Sequence, residues 1–191
     1  MKKFLILVLA AAMAFVAVAC AKPEDSEVLA EYRALYEKAQ EINGIVYGNG
    51  LPNGYEGDAS KLKSPHYVAV AESCPYKSLE DIEAAVLSVY TEDYYNDVLK
   101  NVLFDGIEDK YATVHPRYKM QDGVLMTDVT YDAFESITGA RNDLDSAYVI
   151  RSSSGTAEVG APRYVNDVKQ EADKKTTMIM TENGWRFDNL A

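Results

Sequence analysis

The sequence predicts an α+β fold in which N-terminal helices pack on a curved antiparallel sheet built from C-terminal hairpins. Apolar residues recur at helical spacing as far as about Gly106, and beyond Gly106 they alternate with a period of two. Asp122-Gly123 and Asn183-Gly184 lie within the alternating part, and such dipeptides favour two-residue hairpin turns. Helices followed by antiparallel hairpins are typical of α+β domains.

Residues 1–19 have the organisation of an export signal. Lys2 and Lys3 provide a basic start, and residues 4–19 form an unbroken apolar run. This run is shorter than the roughly 20 residues that a helix needs to span a bilayer. A plain signal peptide or a marginal membrane helix remains the alternative to the lipoprotein signal described next.

The residues around Ala19 and Cys20 resemble a bacterial lipobox, which implies cleavage after Ala19 and lipidation of Cys20. We therefore predict a lipoprotein signal peptide at 1–19, a lipidated cysteine with a short tether at 20–26, and one α+β domain at 27–191. Two acyl chains hold a protein stably on a membrane. The predicted location is the bacterial cell envelope, outside the cytoplasm and anchored to the membrane.

The chain is strongly acidic. Its 191 residues include 19 Lys and Arg against 30 Asp and Glu, a net charge of −11. Loss of residues 1–19 would remove two lysines and change this charge from −11 to −13. Such a balance argues against a nucleic-acid partner and favours cationic partners. Cysteine occurs only at Cys20 and Cys74, which excludes a disulfide framework and a four-cysteine zinc site.

Three helices are predicted before Gly106. The first covers about Ser26 to Ile42, where apolar residues form one stripe, and Asn43-Gly44 is its predicted stop. Ser78 and Thr91 are predicted N-caps of the second and third helices, because each hydroxyl residue precedes acidic residues and an apolar stripe.

The segment Gly48-Asn49-Gly50-Leu51-Pro52-Asn53-Gly54 is rich in glycine. A phosphate-binding loop should follow a strand and open a helix. Neither context is evident in the sequence around this segment. We therefore interpret it as a flexible loop.

Three hairpins are predicted after Gly106. Their strand pairs are Arg117–Gln121 with Val124–Thr130, Ser146–Ser152 with Thr156–Val165, and Lys175–Glu182 with Trp185–Asp188. In the first hairpin a two-residue turn places Met120 opposite Leu125 and Arg117 opposite Asp128. Met120 and Met180 are expected on buried faces, and Pro162 is expected to interrupt its strand. The predicted core includes Leu35, Ile82, Val86, Val98, Leu125, Trp185 and Phe187.

No catalytic motif stands out. His-Glu-x-x-His and Gly-x-Ser-x-Gly are absent, and Asp143-Leu144-Asp145 lacks the remaining ligands of a calcium loop. Cys74 could pair with His66 or His115 as a thiol nucleophile, but a small buried residue before a turn is the simpler interpretation. We predict a protein that is not an enzyme, with no cofactor and no metal.

Four segments occur in an order that resembles the bacterial D,L-endopeptidase inhibitor family, the IseA-like proteins. They are Tyr76–Ile82, Tyr90–Tyr94, Arg117–Leu125 and Glu182–Asp188. Related nuclear-transport-factor-like and cystatin-like secreted domains end in a similar Gly-Trp strand. The resemblance implies a surface protein that blocks cysteine peptidases which cut peptidoglycan stem peptides. It also implies a helical part and a sheet part that flank a cleft, with a nearby loop that meets the enzyme.

The predicted function is therefore inhibition of a peptidoglycan D,L-endopeptidase, with a cell-wall cysteine endopeptidase as partner of a monomeric, lipid-anchored protein. The irregular segment 131–145 is the predicted contact, because exposed loops often carry binding. Tyr131 and Phe134 would insert as apolar anchors, and Asp132 and Glu135 would pair with basic groups. A disordered connection between strands is the alternative for this segment. The alternative function is a non-catalytic surface module that binds a small molecule or cell-wall fragment in its cleft.

Overall fold

A computed structural model describes residues 22–108, 113–131, 137 and 139–191. The predicted lipidation site at Cys20 lies outside these residues. Within the described part of the chain, no helix combines the length and the apolar character needed to cross a membrane. The described elements give an α+β protein with few helices and several antiparallel sheets.

Helix α1 covers Asp25–Tyr47 and begins within one residue of the predicted Ser26. The Glu27 carboxylate accepts a hydrogen bond from the Glu24 N–H at 3.2 Å. Acidic side chains in the first turn also suit the positive end of the helix dipole. The predicted apolar stripe is confirmed, because all its members except the half-buried Leu29 are buried: Val28, Tyr32, Leu35, Tyr36, Ala39 and Ile42.

The predicted stop of α1 at Asn43-Gly44 is wrong, because the helix continues to Tyr47. The Asn43 side chain is buried, accepts a hydrogen bond from the Tyr90 hydroxyl at 2.7 Å and donates one to the Ala191 carbonyl at 3.4 Å. The next three helical residues after Gly44 are also buried. Tertiary contacts therefore outweigh the local stop signal, and Gly48 becomes the C-cap.

The two predicted N-caps are confirmed. Helix α2 covers Leu79–Leu87, and the Ser78 hydroxyl accepts a hydrogen bond from the Asp81 N–H at 3.2 Å. The Asp81 carboxylate in turn accepts one from the Ser78 N–H at 3.0 Å, which completes a capping box. Helix α3 begins at Glu92–Tyr94, where the Thr91 hydroxyl accepts a hydrogen bond from the Tyr94 N–H at 3.2 Å.

After Tyr94 the chain winds as a π-helix over Tyr95–Leu99 and Asn101–Asp105. The buried residues of this stretch are four apart: Tyr95, Leu99 and Leu103. Val98 is 38% exposed, so its predicted place in the core is wrong. Wider winding turns its side chain away from the face that an α-helical period would give it.

Twelve described strands form the sheets. They are β1 Tyr67–Ala69, β2 Ile107–Glu108, β3 Thr113–Val114, β4 Tyr118–Gln121, β5 Val124–Asp128, β6 Ala140–Asn142, β7 Tyr148–Ser152, β8 Thr156–Ala161, β9 Arg163–Val165, β10 Val168–Lys169, β11 Lys174–Thr181 and β12 Gly184–Phe187. They pair in the orders β1-β5-β4, β10-β9-β6, β12-β11-β8-β7 and β2-β3.

The described strands thus belong to four antiparallel sheets, and not to one curved sheet as expected. The second and third hairpins do share a sheet, because β8 pairs with β11. The first hairpin instead forms a separate sheet with β1, which pairs with β5. Pro162 separates β8 from β9 because it has no N–H to donate to a ladder, as the sequence predicted.

The predicted register of the first hairpin is confirmed. Asp122 and Gly123 have φ of 52° and 78°, as a type I′ turn requires, and Met120 lies opposite Leu125. The Asp128 N–H donates to the Arg117 carbonyl at 2.9 Å.

The third hairpin turns one residue earlier than expected. It turns at Glu182-Asn183, with Gly184 as the first residue of β12, and Met180 lies opposite Trp185. Met120 and Met180 are 40% and 42% exposed, so their expected burial is wrong. Each methionine lies close to its hairpin turn, where fewer neighbouring strands and helices cover a side chain.

Helix α1 packs on the sheet that contains β7, β8 and β12. The Tyr32 ring meets the Phe187 ring edge-on, with centroids 5.7 Å apart. Buried apolar residues from Val28 to Phe187 form one cluster. This packing fixes the position of α1, and the C-terminal end of α1 forms one wall of the cleft described below.

Candidate functional site

A cleft of about 720 Å³ opens beside the C-terminal half of α1. The described residues around it come from separate parts of the chain. Glu41 and the loop 48–52 form one side, and the turn 74–76 closes another. Gly139 and Asn166 lie opposite, next to the small sheet that contains β6 and β9.

A buried arginine holds the helix end of this cleft. The Arg117 side chain donates from Nη1 to the Val46 carbonyl at 3.0 Å and from Nη2 to the Gly48 carbonyl. A cation at this place is favourable, because the C-terminal end of a helix carries partial negative charge. Gly50 has φ of 74°, and a Cβ there would lie 2.7 Å from Nη2 of Arg117. The glycine therefore permits the close approach.

Tyr118 fastens the loop to the helix. Its hydroxyl accepts a hydrogen bond from the Leu51 N–H at 3.1 Å and donates one to the Ile45 carbonyl at 2.9 Å. Leu51 itself is buried. Residues 48–52 are therefore a loop, as predicted, and their hydrogen bonds to Arg117 and Tyr118 hold them as one wall of the cleft.

The opposite wall joins two distant segments. The Asn166 N–H donates to the Gly139 carbonyl at 2.9 Å. Asn166 and Asp167 form the turn between β9 and β10, with φ of 48° and 63°. Asn and Asp adopt this left-handed backbone more readily than other residues with a side chain. Asn166 of this turn lines the cleft.

Among the side chains described around the cleft, one is charged. Glu41 is the only Asp or Glu among the described residues that line it, and these residues include no Lys, Arg or His. The Tyr76 hydroxyl donates to the Glu41 carboxylate at 3.5 Å. Burial and then the Glu41 charge raise the pKa of Tyr76. The lining therefore favours neutral or cationic ligands over anions.

Cys74, the candidate nucleophile, lines this cleft, and the other described residues of the lining include no histidine. Cys74 is 2% exposed. His115 lines a different cavity of about 220 Å³, and the ring centroid of His66 is 6.1 Å from that of Tyr55. The cleft therefore does not assemble the thiol–imidazole pair that the sequence left open. The described part of the chain also holds no cluster of three or more His, Cys, Asp or Glu suited to a metal ion.

Of the predicted contact residues, the structure describes only Tyr131. Its ring lies 4.3 Å from the Arg117 guanidinium and lines the smaller cavity. Burial raises the pKa of Tyr131, and the nearby positive charge of Arg117 partly offsets that rise. Asp132, Phe134 and Glu135 lie outside the described residues.

The resemblance implied a cleft, but sequence reasoning did not identify the residues that line it. Glycine density in residues 48–54 was the one local signal, whereas Glu41 looked like any exposed helical acid. No protein-family model matches this sequence, and no curated protein is recognisably similar to it. The cleft geometry is therefore the main support for a function.

Proposed function

We propose that this protein is a lipid-anchored, extracytoplasmic and non-catalytic module that binds a small molecule or cell-wall fragment in its cleft. The observation that carries the proposal is the cleft between Glu41, the loop 48–52 and Asn166. Its volume of about 720 Å³ lies within the range of roughly 300–1,000 Å³ that small-molecule sites occupy.

The position of the cleft on α1 supports this proposal. The helix has 23 residues, which corresponds to a length of about 35 Å. The proposed lipid would lie just before its first residue, Asp25, whereas the cleft begins at Glu41 and continues past the last helical turn. The cleft therefore lies toward the C-terminal end of α1, and the proposed lipid is attached before its N-terminal end in the sequence. A ligand in the cell wall could reach the cleft while the protein stays anchored.

The test uses a substitution that fills the cleft. Gly44 lines the cleft, and a Cβ there meets no atom within 4 Å, so a leucine at this position has free space around its Cβ and should fill part of the cleft. Leucine also favours a helix more than glycine does. The matched control is Gly155→Leu, at another glycine with open space around its Cβ and away from the cleft.

We expect the domain, begun at residue 21, to be retained on purified peptidoglycan that carries no hydrolase. Retention should fall at least tenfold for Gly44→Leu and stay unchanged for Gly155→Leu. If both variants are retained like the wild type, the cleft is not the binding site. If the wild type is not retained on hydrolase-free wall, cell-wall binding is rejected and the second function gains support.

The second candidate is inhibition of a peptidoglycan D,L-endopeptidase by occlusion of its active site. The order of the four motif segments favours it, and we propose with it a cystatin-like or nuclear-transport-factor-like arrangement, which α1 packed on an antiparallel sheet supports. Tyr131 is held against buried Arg117 directly before residues 132–136, so the proposed contact begins at a residue with a fixed position. The net charge would steer the monomeric protein toward a basic cysteine endopeptidase.

This second function is tested with the host's own cysteine endopeptidases. Added domain should slow peptidoglycan turnover, and the effect should weaken at high salt because charge attraction is screened. Joint replacement of Asp132, Phe134 and Glu135 by alanine should relieve inhibition. Unchanged turnover with every endopeptidase would remove this function, and inhibition that survives the triple replacement would move the contact elsewhere.

A further inference from the structure

We infer that the cleft selects a ligand bearing a protonated primary amine, which pairs with the Glu41 carboxylate, joined to a chain of amide groups. The inference rests on the proposed binding function and adds the chemical class of ligand. An amine-bearing peptide has this chemistry. Four features of the described lining lead to it.

The first feature is the sign of the charge. Glu41 contributes a carboxylate, and the described lining contributes no basic side chain. The whole chain is acidic as well, with a net charge of −11. An anionic ligand would meet repulsion without a partner for its charge, whereas an ammonium group would meet a carboxylate.

The second feature is that Glu41 is available. None of the ion pairs between described residues includes it. Its described partner is the Tyr76 hydroxyl, at 3.5 Å, near the limit of a hydrogen bond. An ammonium group can donate to the carboxylate at a shorter distance, of about 2.7–2.9 Å, and adds the attraction between two opposite charges. Tyr76 would then orient the carboxylate from its other side.

The third feature is the amount of accessible backbone. The lining contains several glycines, including Gly44 and Gly139, and a ligand can approach the main chain closely where no Cβ intervenes. Asn49 and Asn166 are exposed at the cleft, and each amide side chain both donates and accepts hydrogen bonds. These groups complement the N–H and C=O of a peptide.

The fourth feature is apolar surface between these polar groups. Ile45 and Leu51 line the cleft together with Pro52 and Pro75. Aliphatic stems of long amino-bearing side chains can lie on such surface while the amine reaches a charge. A carboxylate, backbone amides and an apolar strip together match an amino-bearing peptide better than a sugar or a phosphate.

The experiment compares a peptide that has a free side-chain amine with the same peptide after acetylation of that amine, which removes the positive charge. The probes are Nα-acetyl-alanyl-lysine amide and the same peptide with its Nε amine acetylated. Binding is followed by NMR titration of the domain at low ionic strength. We expect the free amine to bind about threefold more tightly, because Glu41 is exposed and an ion pair in contact with solvent is weak. Glu41→Gln should remove this preference.

The matched control is Glu37→Gln, one turn earlier on the exposed surface of α1 and outside the cleft lining. It should keep the full preference. Both glutamates are exposed, and thermal melts check that both variants fold. Equal binding of the two peptides by the wild type, or a preference that survives Glu41→Gln, would overturn the amine inference and leave cleft binding intact. If neither peptide binds, the amine inference is rejected, and the proposed function is judged separately by peptidoglycan retention of Gly44→Leu.

Discussion

The guanidinium of Arg117 lies over the ring of Tyr131, with its central carbon 4.3 Å from the ring centroid. Arg117 is only 2% exposed, and the carbonyls of Val46 and Gly48 accept its hydrogen bonds. An aromatic face is attractive to a buried cation because of its negative electrostatic potential. One side chain thus supports the helix end of the cleft and the residue that begins the proposed enzyme contact.

Gly50 is predicted to be essential for this arrangement. Gly50→Ala should lower the free energy of unfolding by roughly 1–3 kcal/mol, because a residue with a side chain is strained at φ of 74°. The added methyl would also meet Arg117 Nη2 and the Tyr118 hydroxyl, at 2.7 and 3.0 Å. Denaturant melts measure the difference.

The control for this prediction is Gly54→Ala. Gly54 has no atom within 4 Å of a Cβ position, so its replacement should change stability by less than about 0.5 kcal/mol. Similar losses at Gly50 and Gly54 would mean that Arg117 does not lie where we place it.

The π-helical winding after Tyr94 gives a second prediction. Leu99 is fully buried and Val98 is 38% exposed, although a regular α-helix from Thr91 led us to expect both inside. Leu99→Ala should therefore cost about 2–5 kcal/mol, and Val98→Ala less than about 1 kcal/mol. Denaturant melts of the two variants serve as controls for each other. Comparable losses of stability in the two variants would contradict the π-helical winding and favour a regular α-helix.

Local signals predicted the parts of the fold that depend on neighbouring residues. The Ser78 and Asp81 capping box spans four residues, and the turn at Asp122-Gly123 fixes its own hairpin register. In both cases the residues that interact are close in sequence. These interactions can therefore be predicted from the sequence alone.

Parts that depend on distant residues were missed. Asn43 looked like a helix stop because its partners, Tyr90 and Ala191, are far along the chain. Arg117 looked like an ordinary strand residue, although it binds the helix end some seventy residues earlier. The residues that line the cleft belong to separate segments between Glu41 and Asn166, so no local sequence pattern predicts it.

Buried tyrosines predict a loss of stability at alkaline pH. Burial, followed by the Asp128 charge, raises the pKa of Tyr67 to about 12, and burial, followed by Tyr90, raises the pKa of Tyr94 to about 12. Tyrosines in the unfolded chain titrate near pH 10, at about their unperturbed pKa. Between about pH 10 and 12 the unfolded state therefore binds fewer protons, and the free energy of unfolding falls as pH rises.

Denaturant melts across this range, with phenolate absorbance recorded in parallel, measure the effect. The contribution should be fully present below about pH 10, where both states hold their protons. Replacing Tyr67 and Tyr94 together by phenylalanine should flatten the slope. A free energy of unfolding that stays constant from about pH 10 to 12 would contradict the burial of these hydroxyls.

The last prediction concerns the anchor, and the chain supplies its own control. Cys20 and Cys74 are its two cysteines, and Cys74 is buried at 2% exposure in the folded domain. Metabolic labelling with a fatty acid should mark the wild-type protein and Cys74→Ala equally, because only a cysteine at the signal junction is open to lipidation. Cys20→Ala should lose the label and leave the washed membrane fraction, since two acyl chains are what hold a protein stably on a bilayer. Labelling that persists in Cys20→Ala would reject the lipobox. An unlabelled wild type that is cleaved and released would instead identify residues 1–19 as a plain signal peptide.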